Sequence, residues 1–174
     1  SNANYGHAFD ARRRTALSLF NSVLVGFPRG IRFNQPSVLA QYQSGRGVLA
    51  NNVLVAPTAS TAYNVGTGVT AADVTSYWTA NNTTIDGPAS DAIHQALGLN
   101  LDLFFGSRLA DAYTAPDFRV TTGTLATGAA FTNAKFSEAN RTAFFEKNVT
   151  FRGAFGSTNW ATGWAEFKPV SKAY

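Results

Sequence analysis

Leu19-Phe20-Asn21-Ser22-Val23-Leu24-Val25-Gly26 returns as Leu49-Ala50-Asn51-Asn52-Val53-Leu54-Val55-Ala56, with five of eight residues identical at a constant shift of 30. Self-similarity at a period of roughly 20 to 50 residues marks architectures in which one supersecondary unit stacks on the next. The repeated Asn supplies a mechanism, because Asn is one of the few non-Gly residues that tolerates left-handed backbone geometry. One such residue between two short strands bends the chain sharply without a long loop. If that bend recurs at the same place in every coil, Asn21 and Asn51 stack. Their amides are then expected to hydrogen-bond along the axis as in other Asn ladders. Val23, Val25, Val53 and Val55 fall on one face of the strands, with Leu24 and Leu54 on the other. The expected fold class is therefore mostly β: a short parallel β-helix with a few short helices. A β-sandwich is the alternative if the echo is coincidence.

Composition points the same way. Charged residues make up 14% of the 174-residue chain, against about a quarter in an average soluble domain. Low charge with abundant Gly, Thr, Asn and Ser suits a secreted or surface β-protein. With no cysteine, disulfides, thiolate ligands and a Cys nucleophile are excluded. Small secreted eukaryotic domains are usually disulfide-dense, so the expectation is a bacterial exported protein, extracellular or at the outer-membrane surface. Ser1-Asn2-Ala3 looks like the scar of a cleaved expression tag. The net charge of +4 is modest, and Arg12-Arg13-Arg14 is the one dense basic patch. It reads as a solvated segment at the start of a strand, so no nucleic-acid partner is expected. No apolar run approaches the roughly 20 residues of a membrane span.

Residues 4–174 read as one domain, with coils over about 15–57, a helical and loop insertion over about 58–98, and a wall and cap over about 99–174. Residues 4–14 are polar and read as irregular, whereas Ile31-Arg32-Phe33 reads as a strand. Residues 58–70 read as a loop. Thr70 is an N-cap candidate with Asp73 in the first turn, opening a helix through about Trp78. Residues 81–88 are turn-rich. Ser90 to Gly98 and Ser137 to Lys147 each read as a further short helix. Seven aromatics fall between Phe144 and Phe167. Each ring can remove about 150 to 250 Å² from water, so the tail is expected to fold as an aromatic plug over the end of the coils. Phe155, Trp160 and Trp164 are its structural residues.

The stretch Asn-Ser-Val-Leu-Val-Gly-Phe-Pro-Arg-Gly-Ile at 21–31, its partial copy at 51–56, and Phe-Phe…Phe-Arg-Gly-Ala-Phe-Gly…Asn-Trp-Ala-Thr-Gly-Trp at 144–164 together resemble a known group. It comprises uncharacterised exported or lipid-anchored surface proteins of Bacteroidetes-type bacteria, similar to right-handed parallel β-helices of the pectate-lyase-like kind. The resemblance implies a fold and a location rather than an activity. Members of the group are usually much longer, so the expectation is either the C-terminal part of a larger protein or a compact form in which the central helices wrap the coils.

Candidate chemistry is sparse. A polysaccharide lyase needs acids that hold Ca²⁺ and an Arg or Lys that removes a proton. The acids here are scattered, and Asp102, Arg108 and Asp111 form the nearest approach to a catalytic set. Two histidines, His7 and His94, with no cysteine make a metal site unexpected, and no cofactor motif appears. Sequons at Asn81, Asn82, Asn140 and Asn148 read as chance in such a composition. Tyr77 and Trp78, in the irregular middle, are the candidate ligand-binding pair, able to stack on sugar rings if exposed. The expected function is a non-enzymatic surface module that contacts a polysaccharide or cell-surface glycan, with possible partners including a second copy at the N-terminal coil edge. The alternative is a fragment of a carbohydrate-active lyase or hydrolase.

Overall fold

A computed structural model of the protein describes residues 6–87, 118–121, 123–137 and 143–161. Within them the chain makes three passes. The first holds β1 (His7–Ala11), β2 (Leu19–Phe20) and β3 (Val23–Leu24). The second holds β4 (Arg29–Phe33), α1 (Pro36–Gln43), β5 (Leu49–Ala50) and β6 (Val53–Ala56). The third holds α2 (Ala59–Ala62), β7 (Tyr63–Val65), α3 (Ala71–Thr79) and β8 (Thr83–Asp86). Strands from successive passes pair in three sheets, β1-β4-β7, β2-β5 and β3-β6-β8.

Every strand pairing among the described residues is parallel. Leu19 faces Leu49, Val23 faces Val53, and Val53 faces Thr83. The shift of 30 is thus the pairing register itself. Parallel neighbours need a long return connection, so no hairpin joins the paired strands among the described residues. Two boundaries differ from expectation. Residues 7–11 pair with Arg29 to Phe33 as β1 instead of forming an irregular lead-in. The expected insertion over 58–98 contains β7 and β8, which extend two of the sheets by a third strand. Thr83 and Thr84 are β-branched and half of β8, so the turn-like Asn81-Asn82 before them hid a strand.

The bend is where the echo places it. Asn21 and Asn51 both adopt left-handed backbone angles, φ 52° and 58°. The axial ladder, however, runs one residue later. A residue at the bend turns its side chain outward, and the next one turns inward. Asn52 is 0% exposed. Its Nδ2 donates to Leu19 O (2.9 Å) and to Asn82 Oδ1 (2.9 Å), while its Oδ1 accepts the Ser22 N–H (3.0 Å). Asn82 repeats the pattern one pass on, donating to Leu49 O at 2.7 Å and accepting the Asn52 N–H at 3.0 Å. Ser22 ends the ladder: its hydroxyl donates back to Phe20 O within its own pass. The expected Asn21–Asn51 amide stack is therefore corrected to Asn52–Asn82.

The outward amides of Asn21 and Asn51 have a different role. Both donate to Ala130 O, at 3.1 and 3.4 Å, and Asn21 Oδ1 accepts the Ala130 N–H at 3.0 Å. Nearby, Gly153 N–H donates to Asn21 O at 2.7 Å and Arg152 Nε donates to Asn51 O at 2.8 Å. Thr127 and Phe151 bridge antiparallel in the same segment. The aromatic tail, as far as it is described, thus lies along the flank at the bends and not over an end. Val120 and Leu125 join it, packing on Val53 and Val55 outside the β3-β6-β8 sheet.

The main core lies on the other face, where Leu54, Ile31, Phe33, Leu49, Val74 and Trp78 are all at 1% exposure or less. Helices α1 and α3 close it. Pro36 opens α1, a position where its missing N–H costs nothing. A reciprocal box starts α3: Thr70 Oγ1 accepts the Asp73 N–H, and the Asp73 carboxylate accepts the Thr70 N–H. That carboxylate is held below its ordinary pKa by the bonds from Thr70. Phe33 stacks on Tyr42 with centroids 4.7 Å apart, and Tyr77 meets both rings at 5.5 Å. The edge expected for self-association consists of β1, β2 and β3, and two of these strands are only two residues long, a device that blunts edge-to-edge pairing.

Candidate functional site

The two residues expected to stack on sugar are part of the core. Trp78 is 0% exposed, so its ring offers no face to a ligand. Tyr77 is half-buried, and its hydroxyl accepts the Leu49 N–H at 3.2 Å. Burial pushes the phenol above its ordinary pKa, against the opposing effect of that bond. Their spacing on α3 explains the outcome: Val74 and Trp78, four residues apart, form its buried stripe. Asp102, Arg108, Asp111, His94 and Trp164 lie outside the described residues.

Arg12, Arg13 and Arg14 are exposed, but in a turn after the end of β1 and not at the start of a strand. Arg13 and Arg14 both have positive φ, 51° and 64°. The turn is fixed by the Arg13 N–H, which donates to Gln35 Oε1 at 3.1 Å. His7 opens β1, where burial lowers its pKa; Arg32 and Arg29 add to the shift and Asp10 opposes it. Asp10 and Arg32 approach to 3.8 Å across the strand pair. No group of three or more acidic, His or Cys side chains converges as a metal site among the described residues. No described helix is long and apolar enough to cross a membrane.

Two features present apolar surface in a fixed geometry. The first is Trp160. Its indole is 48% exposed, lies parallel to Phe155 at 4.6 Å with 3° between the planes, and donates Nε1–H to Ala154 O at 2.8 Å. Phe118 backs Phe155 at 5.3 Å. A large ring held at both its face and its edge loses little further entropy when a ligand lands on it.

The second is a cleft of about 380 Å³ between the 16–20 segment and Lys135, Phe136 and Phe145. Phe20, Phe136 and Phe145 make one wall, with Phe136 buried between the other two at 4.6 and 5.0 Å. Leu17, 59% exposed, stands at the rim, and Phe144, 80% exposed, meets Phe145 edge-on at 5.1 Å. Among the described residues, the one ionisable side chain in the lining is Lys135. A 3-10 turn over Ala134–Phe136, capped by Asn133 Oδ1 accepting the Lys135 N–H at 3.0 Å, sets Lys135 and Phe136 in place. Sequence reasoning passed over this cleft because it joins residues more than a hundred positions apart. The adjacent pair Phe144-Phe145 was the available signal, since two consecutive rings in an irregular segment rarely both find burial.

Set beside known proteins, the chain matches no family model, no curated protein and no solved structure.

Proposed function

We propose that the chain is a non-enzymatic module of an exported bacterial surface protein, built on a short right-handed parallel β-helix, and that it contacts a glycan through Trp160. Three observations support the β-helix: parallel sheets extended pass by pass, left-handed Asn bends at the same place in two passes, and an inward Asn ladder at the shift of 30. Right-handedness follows the strong bias of parallel crossover connections. The low charge of the chain suits the exported location.

The single observation that carries the glycan reading is the fixed, half-exposed Trp160 indole. Sugar rings carry an apolar C–H face that suits a π surface, while their hydroxyls stay in water. A screen of neutral and acidic glycans, with and without Ca²⁺, tests the reading. Binding without cleavage is expected. Trp160→Ala should weaken the best ligand at least about ten-fold, the usual scale for an aromatic anchor, and leave the melting temperature within about 2 °C because the ring is half in solvent. Depolymerisation of any glycan would instead favour the lyase or hydrolase fragment, and undiminished binding by Trp160→Ala would remove the indole from the site.

A further inference from the structure

The cleft between the 16–20 segment and Lys135, Phe136 and Phe145 carries an inference independent of Trp160. The geometry points to a binding site for a small carboxylate whose charged group sits next to an apolar or aromatic body. The reasoning is a count of donors and acceptors around an apolar wall. Phe20, Phe136 and Phe145 form a continuous ring surface, with Leu17 exposed at its rim, so the body of the ligand is apolar. The volume of about 380 Å³ lies near the small end of ligand sites, which run from roughly 300 to 1,000 Å³.

The polar side chains in the lining among the described residues are Ser18 and Lys135, and both offer protons. Ser18 Oγ already accepts the Val48 N–H at 3.2 Å, and its own proton has no acceptor among the described residues. The Lys135 ammonium has no carboxylate partner among the described residues. Glu146, next to Phe145 in sequence, turns Oε1 to the Asn148 N–H at 2.8 Å. The described lining thus presents an ammonium and a hydroxyl proton with no side-chain acceptor among the described residues. A ligand that meets them must supply oxygens, and a carboxylate supplies two with the matching charge. A neutral sugar brings no opposite charge to the ammonium, which is the poorer match.

Two sources carry this chemistry, a free aryl or alkyl acid and the C-terminal residue of a short peptide, and one titration series separates them. The probes are N-acetyl-phenylalanine, N-acetyl-phenylalanine amide, and Gly-Gly-Phe with a free carboxylate, each followed by amide shifts in NMR spectra. The acid is expected to shift the signals of Ser18, Phe20 and Lys135 saturably and to bind at least ten-fold tighter than the amide. Lys135→Gln should erase that preference without moving the melting temperature, and Lys135→Arg should keep most of it. Phe145→Ala should weaken acid and amide alike. If Gly-Gly-Phe binds more tightly than the single residue, the natural source is a chain terminus. If it binds no more tightly, the source is a free acid. Equal binding of acid and amide would overturn the inference, as would a preference that survives Lys135→Gln or an absence of saturable shifts from either probe at millimolar concentration.

Discussion

Asn52→Ala is expected to lower stability by about 4 kcal/mol and the melting temperature by roughly 10 °C. The side chain is 0% exposed and holds three partners, the Ser22 N–H, Leu19 O and Asn82 Oδ1, all within 3.0 Å. Alanine leaves the Ser22 N–H and Leu19 O without that bond beside a fully buried position, while Asn82 Oδ1 keeps only the Asn52 N–H. An unsatisfied buried group costs about 1 to 3 kcal/mol, and local relaxation recovers only part of the sum. The neighbouring Asn51 is the control. Asn51→Gly keeps the left-handed φ of 58° at no steric cost and loses only the 3.4 Å contact to Ala130 O, so it should cost less than about 1 kcal/mol. Thermal and urea denaturation of the two variants reads the difference. Equal effects at the two positions would place the ladder at the bend instead of one residue after it.

Gly66→Ala is expected to cost about 3 kcal/mol, through close approach and not through backbone strain. A Cβ at Gly66 would sit 2.0 Å from Asn34 O and 2.4 Å from Asn34 Oδ1. Gly66 N–H also donates to Phe33 O at 3.0 Å, so the third pass cannot retreat from the second without losing that bond. Gly30 holds a similar position, 2.2 Å from Ala62 O. At Gly6 an added Cβ meets nothing within 4 Å, and Gly6→Ala should be neutral within about 0.5 kcal/mol. Denaturation midpoints compare the two. A cost below about 1 kcal/mol at Gly66 would mean that the second and third passes do not abut there.

What the residues announced, and what they hid, follows from where the period is constant. The β2-β5 and β3-β6-β8 pairings keep one offset, Leu19 to Leu49 and Val23 to Val53 to Thr83, so the echo is visible there. In the third sheet Phe9 pairs with Ile31, and Ile31 with Tyr63, offsets of 22 and 32. The second pass adds α1 between its strands, and the third adds α2 ahead of β7. Strands whose offset changes leave no repeat to find, which is why β1 and β7 were not anticipated. The sequence placed the bends correctly because left-handed geometry is a property of Asn itself. It misassigned the ladder because the direction of a side chain at a bend is set by the neighbouring pass. The helix at Thr70 was legible from its local capping chemistry. The site was not, because burial of Trp78 and exposure of Trp160 are decided by packing partners far away in the chain.

The central claim is that the shift of 30 is a parallel strand register, and inter-strand nuclear Overhauser effects between backbone protons test it most directly. Neighbouring strands lie about 4.8 Å apart, close enough for strong amide-to-Hα cross-peaks. The register predicts peaks linking Leu19 with Leu49, Val23 with Val53 and Val53 with Thr83, so that both partners advance together along the chain. Cross-peaks in which one residue number rises as the other falls, pairing Leu19 with a residue beyond Val53, would mean antiparallel strands and would contradict it.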